Sequence, residues 1–138
     1  MKDKLVLMSG LSLVMTFFFA GISKIFSLKA PDWFISQFES TFLNVFEGSL
    51  HIQFLSIGII ELAAAGFIIF GVITNSTKML KVGLYNSQLN FLLLSFGSRV
   101  SHQYENSLML LVLVLLCVPL IDRVERFQLK NIAEAIPN

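Results

Sequence analysis

The chain has 138 residues, of which 55% are hydrophobic and only 14% are charged, and its formal net charge is +1. Soluble domains carry about 25% charged residues, so this composition excludes an ordinary water-soluble domain and favours an integral membrane protein. The near-zero charge gives no indication of a nucleic-acid partner, and the single cysteine excludes an intrachain disulfide.

Four long apolar segments follow one another and leave room for short loops and one longer loop. We therefore predict an all-α membrane protein, a four-transmembrane-helix bundle that forms a single domain over residues 1–138. The predicted elements are membrane helices at about residues 5–26, 52–74, 78–98 and 107–121, an amphipathic outer-loop helix at about 31–46, and a charged cytoplasmic tail at 122–138.

The first apolar segment, Leu5–Phe26, is longer than the apolar core of a typical signal peptide, and no small-residue cleavage site closes it. We predict that it is retained as a membrane helix. One face of this helix carries small side chains, which would allow another helix to approach closely. These residues are Ser9, Ser12, Thr16, Ala20 and Ser23. Lys24 lies beside that face, near the outer end.

The long loop after the first segment contains a helical pattern of phenylalanines. Phenylalanine recurs every four residues from Phe34 to Phe46, which predicts an amphipathic helix over residues 31–46. Such a helix would lie at the membrane surface or cap the bundle. It is either a plain packing helix or a lid over a ligand cavity, in which case Trp33 would contact the ligand.

The second membrane segment, Ile52–Thr74, carries a single formal charge, Glu61, well inside its length. At about 1.5 Å per residue the segment spans about 35 Å, enough to cross a hydrocarbon core of about 30 Å. A carboxylate at that depth costs about 2.5–3.5 kcal/mol on insertion scales. Glu61 is therefore expected to be protonated, paired with a cation or turned towards a polar cavity.

The third segment, residues 78–98, is the most polar of the four. Asn86 and Asn90 lie one helical turn apart in it. Amides in a membrane helix are expected to face the bundle interior. There, these two would either hydrogen-bond a neighbouring helix or line a pocket for a ligand or for water.

Lysine and arginine are unequally distributed between the two ends of the predicted bundle. The positive-inside rule therefore places both termini in the cytoplasm and the long loop outside. The outer residues are Lys24, Lys29 and Arg99, and the inner ones are Lys2, Lys4, Lys78, Lys81, Arg123, Arg126 and Lys130.

Polar and ionisable side chains collect in the outer half of the predicted bundle. Glu61 lies roughly 14 Å below the outer surface, and the flexible stem of Lys24 would allow its ammonium to reach towards this acid. Arg99 and His102 lie at the outer end. Proton exchange between Glu61, His102 and a quinone or similar amphipathic ligand is one function that this cluster would support.

Three other interpretations of these side chains stay open. In one interpretation, His51 and His102, on neighbouring helices, serve as the axial ligands of a haem. In another, the intramembrane Glu61 marks a transport path. In the plainest interpretation Glu61, with Lys24, Arg99 and Asn90, forms a buried network that only holds the four helices in register.

Two short motifs resemble those of the DoxX-like family of small four-helix membrane proteins. Phe18–Phe26, FFAGISKIF, resembles the first-helix pattern that ends in an alanine-glycine step and a lysine. Glu61–Gly71, ELAAAGFIIFG, resembles the second-helix pattern of a glutamate followed by spaced glycines. His102 with Glu105, and the pair Asp122–Arg123, also resemble family features. The family positions carried onto this chain are Gly21, Lys24, Glu61, Gly66 and His102.

The resemblance implies a multi-pass protein of a bacterial or archaeal cytoplasmic (inner) membrane. Some family members look like subunits of a thiosulfate:quinone oxidoreductase, and eukaryotic relatives look like assembly helpers for membrane receptors. We therefore expect a redox-associated subunit with an outer-half pocket for a hydrophobic ligand, with a quinone as candidate cofactor. Glu61 and His102 would exchange protons, and the ligand-binding residues would be Lys24, Asn86, Asn90, Arg99 and Trp33.

The alternative expectation is a non-catalytic partner or assembly protein. Its buried polar network would then be structural, and its partners would be membrane lipid and a membrane or extracytoplasmic protein.

Overall fold

A computed structural model describes the backbone of residues 4–135 and the side chains of residues 4–129. Over these residues the chain is all-α, as predicted. Three helices are long and apolar enough to cross a membrane, namely Lys4–Ser27, Ser49–Ile73 and Tyr104–Leu129. The helices of the described chain are α1 (Lys4–Ser27), α2 (Asp32–Phe38), α3 (Ser49–Ile73), α4 (Thr77–Val100) and α5 (Tyr104–Ala135).

The four long helices pack side by side as a bundle. α1 lies against α3, α3 against α4, and α4 against α5, while α1 and α5 meet along the remaining side. Many other large apolar side chains are exposed, which is typical of a surface that contacts lipid rather than water. The core is shared by all four helices and consists of Val6, Val14, Phe17, Ala64, Ala65, Ile68, Leu80, Leu84, Phe91, Cys117, Leu120, Ile121 and Val124.

Short turns set the antiparallel order of the helices. Asn75 takes a left-handed φ of 53° between α3 and α4, and the Ser76 hydroxyl caps α4 by accepting from the N–H of Met79. His102 takes a left-handed φ of 61° between α4 and α5. Residues 28–48 and the turn 101–103 lie at the same end of the bundle, which we call the loop end.

The prediction of which face of α1 contacts another helix is wrong. Ser12 and Thr16 are exposed, and α1 instead buries a face that includes Gly10 and Gly21. The Thr16 hydroxyl donates to the Ser12 carbonyl oxygen at 3.0 Å, so it is satisfied within its own helix. Thr16 therefore needs no partner helix.

The amphipathic helix is much shorter than the predicted 31–46. α2 ends at Phe38, and the chain then passes through turns to Gly48. In these turns, side-chain hydrogen bonds to the backbone take the place of helical backbone hydrogen bonds. Thr41 donates to the Phe38 carbonyl at 2.7 Å, and Asn44 donates to the Glu39 carbonyl at 3.1 Å. Such bonds compete with helical ones.

α5 begins at Tyr104 and runs through Pro119 to Ala135, so the helix continues past residue 121 into the segment predicted as a charged tail. Its core-facing pattern continues beyond the proline with Val124, and Lys81 on α4 pairs with Glu125 at 2.9 Å. These contacts hold the helix on the bundle although proline removes one backbone bond. Residues 136–138 of the predicted tail, and Lys2 and the Lys130 side chain used for the orientation, lie outside what is described.

Candidate functional site

An ion pair joins α1 to α3 inside the bundle. The Lys24 ammonium donates to both carboxylate oxygens of Glu61, with Nζ 2.9 Å from Oε1 and 2.7 Å from Oε2. The Glu61 side chain is 3% exposed and that of Lys24 is 19% exposed. Pairing with a cation, one of the outcomes expected for the acid inside the second apolar segment, is observed.

A close crossing of α1 and α3 makes this pair possible. A methyl group added at Gly58 would lie 2.9 Å from Cβ of Lys24 and 3.2 Å from the carbonyl oxygen of Gly21. One added at Gly21 would lie 2.8 Å from the carbonyl oxygen of Gly58. Because neither glycine has a side chain, the two backbones approach closely, and the stem of Lys24 fits beside Gly58 on its way to Glu61.

The pair is energetically demanding, because desolvation costs several kcal/mol for each buried ion and good geometry must offset that cost. Two short hydrogen bonds supply such geometry. Nζ of Lys24 also lies 3.5 Å from the Ala20 carbonyl oxygen, a marginal third contact. One ammonium proton is therefore weakly used and available to another acceptor.

A cavity of about 770 Å³ at the loop end is bordered by this ion pair. The volume lies within the range of about 300–1,000 Å³ that small-molecule sites occupy. Neutral polar side chains border it at Gln37, Gln53, Ser56, Ser98, Gln103 and Asn106. Its walls are otherwise mainly apolar and include Trp33, Phe34, Phe38, Leu43, Phe54, Ile57, Ile60, Leu93, Leu94, Phe96, Met109, Leu110 and Leu113.

Hydrogen bonds fix the segment that covers the cavity. Gln53 on α3 donates to the Leu43 carbonyl at 2.7 Å, and Gln37 on α2 donates to the Ser101 hydroxyl at 2.7 Å. The buried rings of Phe34 and Phe54 meet with centroids 5.1 Å apart. The cover is thus attached both to α3 and to the turn between α4 and α5.

The predicted site residues fall into three groups. Lys24, Glu61 and Trp33 border the large cavity. Arg99 and His102 instead border a second cavity of about 500 Å³, nearer the loop end of α4. The structure therefore does not bring His102 to the cavity of Glu61. Asn86 and Asn90 border neither cavity.

The two asparagines of α4 differ from one another. Asn86 donates to the Ile60 carbonyl oxygen of α3 at 3.5 Å, a long interhelical bond. The Asn90 side chain is fully buried, and neither its amide nitrogen nor its oxygen has a hydrogen-bond partner among the described residues. Unpaired buried amides are costly, so Asn90 destabilises the bundle unless a further group reaches it.

We expect Asn90→Leu to stabilise the ligand-free protein by about 1 kcal/mol, because leucine branches at Cγ as asparagine does and has no unpaired polar atom. Thermal unfolding in detergent measures this change. Asn86→Leu is the matched control one turn away and should not stabilise, since it removes a hydrogen bond. A clear loss of stability in Asn90→Leu would show that the amide has a partner after all.

Several polar residues of the large cavity were not anticipated from the sequence. Gln53 was detectable, because Gln53, Ile57 and Glu61 follow one another at four-residue steps and share a helix face. Gln37 lies four residues after Trp33 in the same way. Gln103 and Asn106 had no such signal, since the turn between α4 and α5 separates them from the other lining residues.

The two histidines have separate environments. Nδ1 of His51 accepts a hydrogen bond from the Ala30 N–H at 2.9 Å, and Nδ1 of His102 lies 3.0 Å from the Tyr104 hydroxyl. Only His102 borders one of the two cavities, so the pair predicted for haem does not converge on either. Among residues with described side chains, no group of three or more histidine, cysteine or acidic side chains is placed to hold a metal ion.

Comparison of the chain with protein-family models, with curated proteins and with solved structures gives no match.

Proposed function

We propose that the protein is a DoxX-like integral membrane subunit that binds a hydrophobic ligand, such as a quinone, in the large cavity. The observation that carries the proposal is the position of the Lys24–Glu61 pair at the border of a mainly apolar cavity. An apolar cavity with a few placed polar groups is the usual form of a small-molecule site.

The packing of α4 supports a bundle with four membrane crossings. α4 has 24 residues, the same length as α1, and it runs antiparallel between α3 and α5. Its contacts reach from Leu80 beside Gly71 at one end to Ser95 beside Ser107 at the other. α4 therefore shares the depth of two apolar neighbours, and its low hydropathy comes in part from polar residues that are buried, such as Asn90.

The charges of the cavity favour a neutral ligand. Its two ionised side chains already neutralise one another, and the other polar lining groups are amides and hydroxyls. A quinone carbonyl would accept a hydrogen bond from one of these groups or from the weakly used Lys24 proton. In this proposal a partner subunit supplies the two electrons for quinone reduction, while the Glu61 carboxylate takes up a proton and passes it to the reduced quinone oxygen. The cavity opens on the outer side of a cytoplasmic membrane.

Trp33 provides the test, because it borders the cavity and is the single tryptophan of the chain. We expect decylubiquinone to quench Trp33 fluorescence saturably. Ile57→Phe should weaken this binding about ten-fold by over-packing the cavity wall. Ile59→Phe is the control, since Ile59 is 60% exposed on the outside of α3. Equal quenching in both variants and the wild type would contradict a quinone site.

A second candidate function is that of a membrane partner or assembly protein, and exposed apolar side chains favour it. Phe42, Val45 and Phe46 are 69%, 75% and 58% exposed on the segment after α2. Exposed apolar side chains close together in a loop are typical of an interaction surface. If this candidate is correct, decylubiquinone should not quench saturably, and Phe42→Ser with Phe46→Ser should abolish recovery of a protein partner.

A further inference from the structure

The second cavity, of about 500 Å³, differs in chemistry from the large one. Arg99 and His102 border it together with hydroxyl groups of Ser40, Thr41 and Ser101. It lies where α4 ends, at the loop end of the bundle. In a membrane-spanning bundle, the ends of the helices lie at the depth of the lipid headgroups.

Arg99 is available to an anionic ligand. It is exposed, and among the described residues no carboxylate lies within ion-pair distance of its guanidinium. Glu39 and Glu105 are close to the cavity in sequence, but neither borders it. The guanidinium is a planar set of donors that suits a phosphate group.

Tyr104 contacts both basic residues of this cavity. The guanidinium carbon of Arg99 lies 5.3 Å from the centre of the Tyr104 ring, within the distance of a cation–π interaction. The Tyr104 hydroxyl lies 3.0 Å from Nδ1 of His102, which leaves the other ring nitrogen for a ligand. His102 also adopts a left-handed backbone, φ 61°, which is uncommon for a residue other than glycine.

Some hydroxyl groups that border the second cavity already form hydrogen bonds within the protein. Ser101 accepts from Gln37 and donates to the Ser98 carbonyl, and Thr41 donates to the Phe38 carbonyl. The Ser40 hydroxyl has no such bond within the described chain. The donors left for a ligand are therefore the Arg99 guanidinium, the second His102 nitrogen and the Ser40 hydroxyl.

We propose that this cavity binds the phosphate of an anionic phospholipid, with Arg99 as the ion-pair partner and Tyr104 as the positioning residue. Phosphate chemistry fits because the residues with free donors border one recess, which Phe42 and Val100 also line, and because they include a guanidinium. The lipid source fits because the recess lies at headgroup depth in a chain with apolar membrane-length helices. The site is distinct from the large cavity, and it does not depend on the identity of the ligand there.

Lipid retention by the purified protein tests this proposal. Native mass spectrometry would compare phosphatidylglycerol with phosphatidylcholine of the same acyl chains. We expect the wild type to retain phosphatidylglycerol preferentially and Arg99→Gln to reduce that preference about ten-fold. Arg99→Lys should keep part of it, because the charge remains. Lys29→Gln is the control, since Lys29 is an exposed cation at the same end that borders neither cavity.

Three results would overturn the proposal. One is the absence of any preference in the wild type, and another is an equal loss in Lys29→Gln, which would indicate diffuse attraction to charge. The third is stabilisation by inorganic phosphate that equals the stabilisation by phosphatidylglycerol, because that would assign Arg99 to a free phosphate. Tyr104→Leu adds an independent check, since loss of the ring should weaken the preference while Arg99 is still present.

Discussion

Lys24→Met is expected to lower the free energy of unfolding by about 3 kcal/mol, because it leaves the Glu61 carboxylate buried without its cation. The carboxylate is 3% exposed and receives two hydrogen bonds from Lys24. Uptake of a proton by Glu61 limits the loss but does not restore those two bonds. Reversible unfolding of the protein in mixed micelles measures the change.

The double variant Lys24→Met, Glu61→Leu separates pairing from other effects of the substitution. Replacing both members of a buried ion pair by apolar residues is often neutral or stabilising, so the double variant should recover most of the lost stability. Lys29→Met, which removes an exposed lysine from the same end, should change little. If the loss in the double variant equals the sum of the losses measured for Lys24→Met and for Glu61→Leu alone, Lys24 and Glu61 are not coupled.

Gly58→Val is expected to destabilise the protein by about 3 kcal/mol, the upper part of the usual range for over-packing. The first added carbon would already lie 2.9 Å from Cβ of Lys24 and 3.2 Å from the Gly21 carbonyl oxygen. Neither neighbour is the free end of a side chain, so α1 and α3 would have to separate. Separation would also draw Lys24 away from Glu61, and thermal unfolding in detergent would report both losses together.

Gly66 supplies the matched control on the same helix. A methyl group added there would meet no neighbouring atom within 4 Å, and Gly66 is exposed. Gly66→Val should therefore change stability by much less than Gly58→Val. Similar losses in the two variants would show that the loss at Gly58 does not come from the crossing with α1, because helix propensity alone favours valine over glycine.

The ion pair was partly accessible from the sequence. Glu61 is the single charged residue of an apolar segment. Lys24 lies near the outer end of the first segment, and its flexible stem allows its ammonium to reach Glu61. The glycines at the crossing were less accessible. Gly21 and Gly66 both lie in the segments that resemble family motifs, but of the two only Gly21 packs tightly against a neighbouring helix. This difference depends on three-dimensional packing.

Other features depended on contacts that a pattern does not contain. The phenylalanine spacing correctly indicates that Phe34 and Phe38 are buried, yet Phe42 is exposed. The helix ends before Phe42, and hydrogen bonds of Thr41 and Asn44 stabilise turns in its place. His102 lies in a turn with a left-handed backbone, so helical geometry could not predict its direction. Its place in the second cavity therefore emerged only from the structure.

The acid inside the second apolar helix is paired with Lys24 at the edge of a cavity, and we propose that this cavity binds a ligand within the membrane. Crystals of the protein grown with decylubiquinone in a lipidic phase would examine both points in one structure. We expect Nζ of Lys24 within hydrogen-bond distance of Glu61 and elongated non-protein density against Ile57. A Glu61 side chain directed at lipid acyl chains, or a cavity filled by the protein's own side chains, would contradict it.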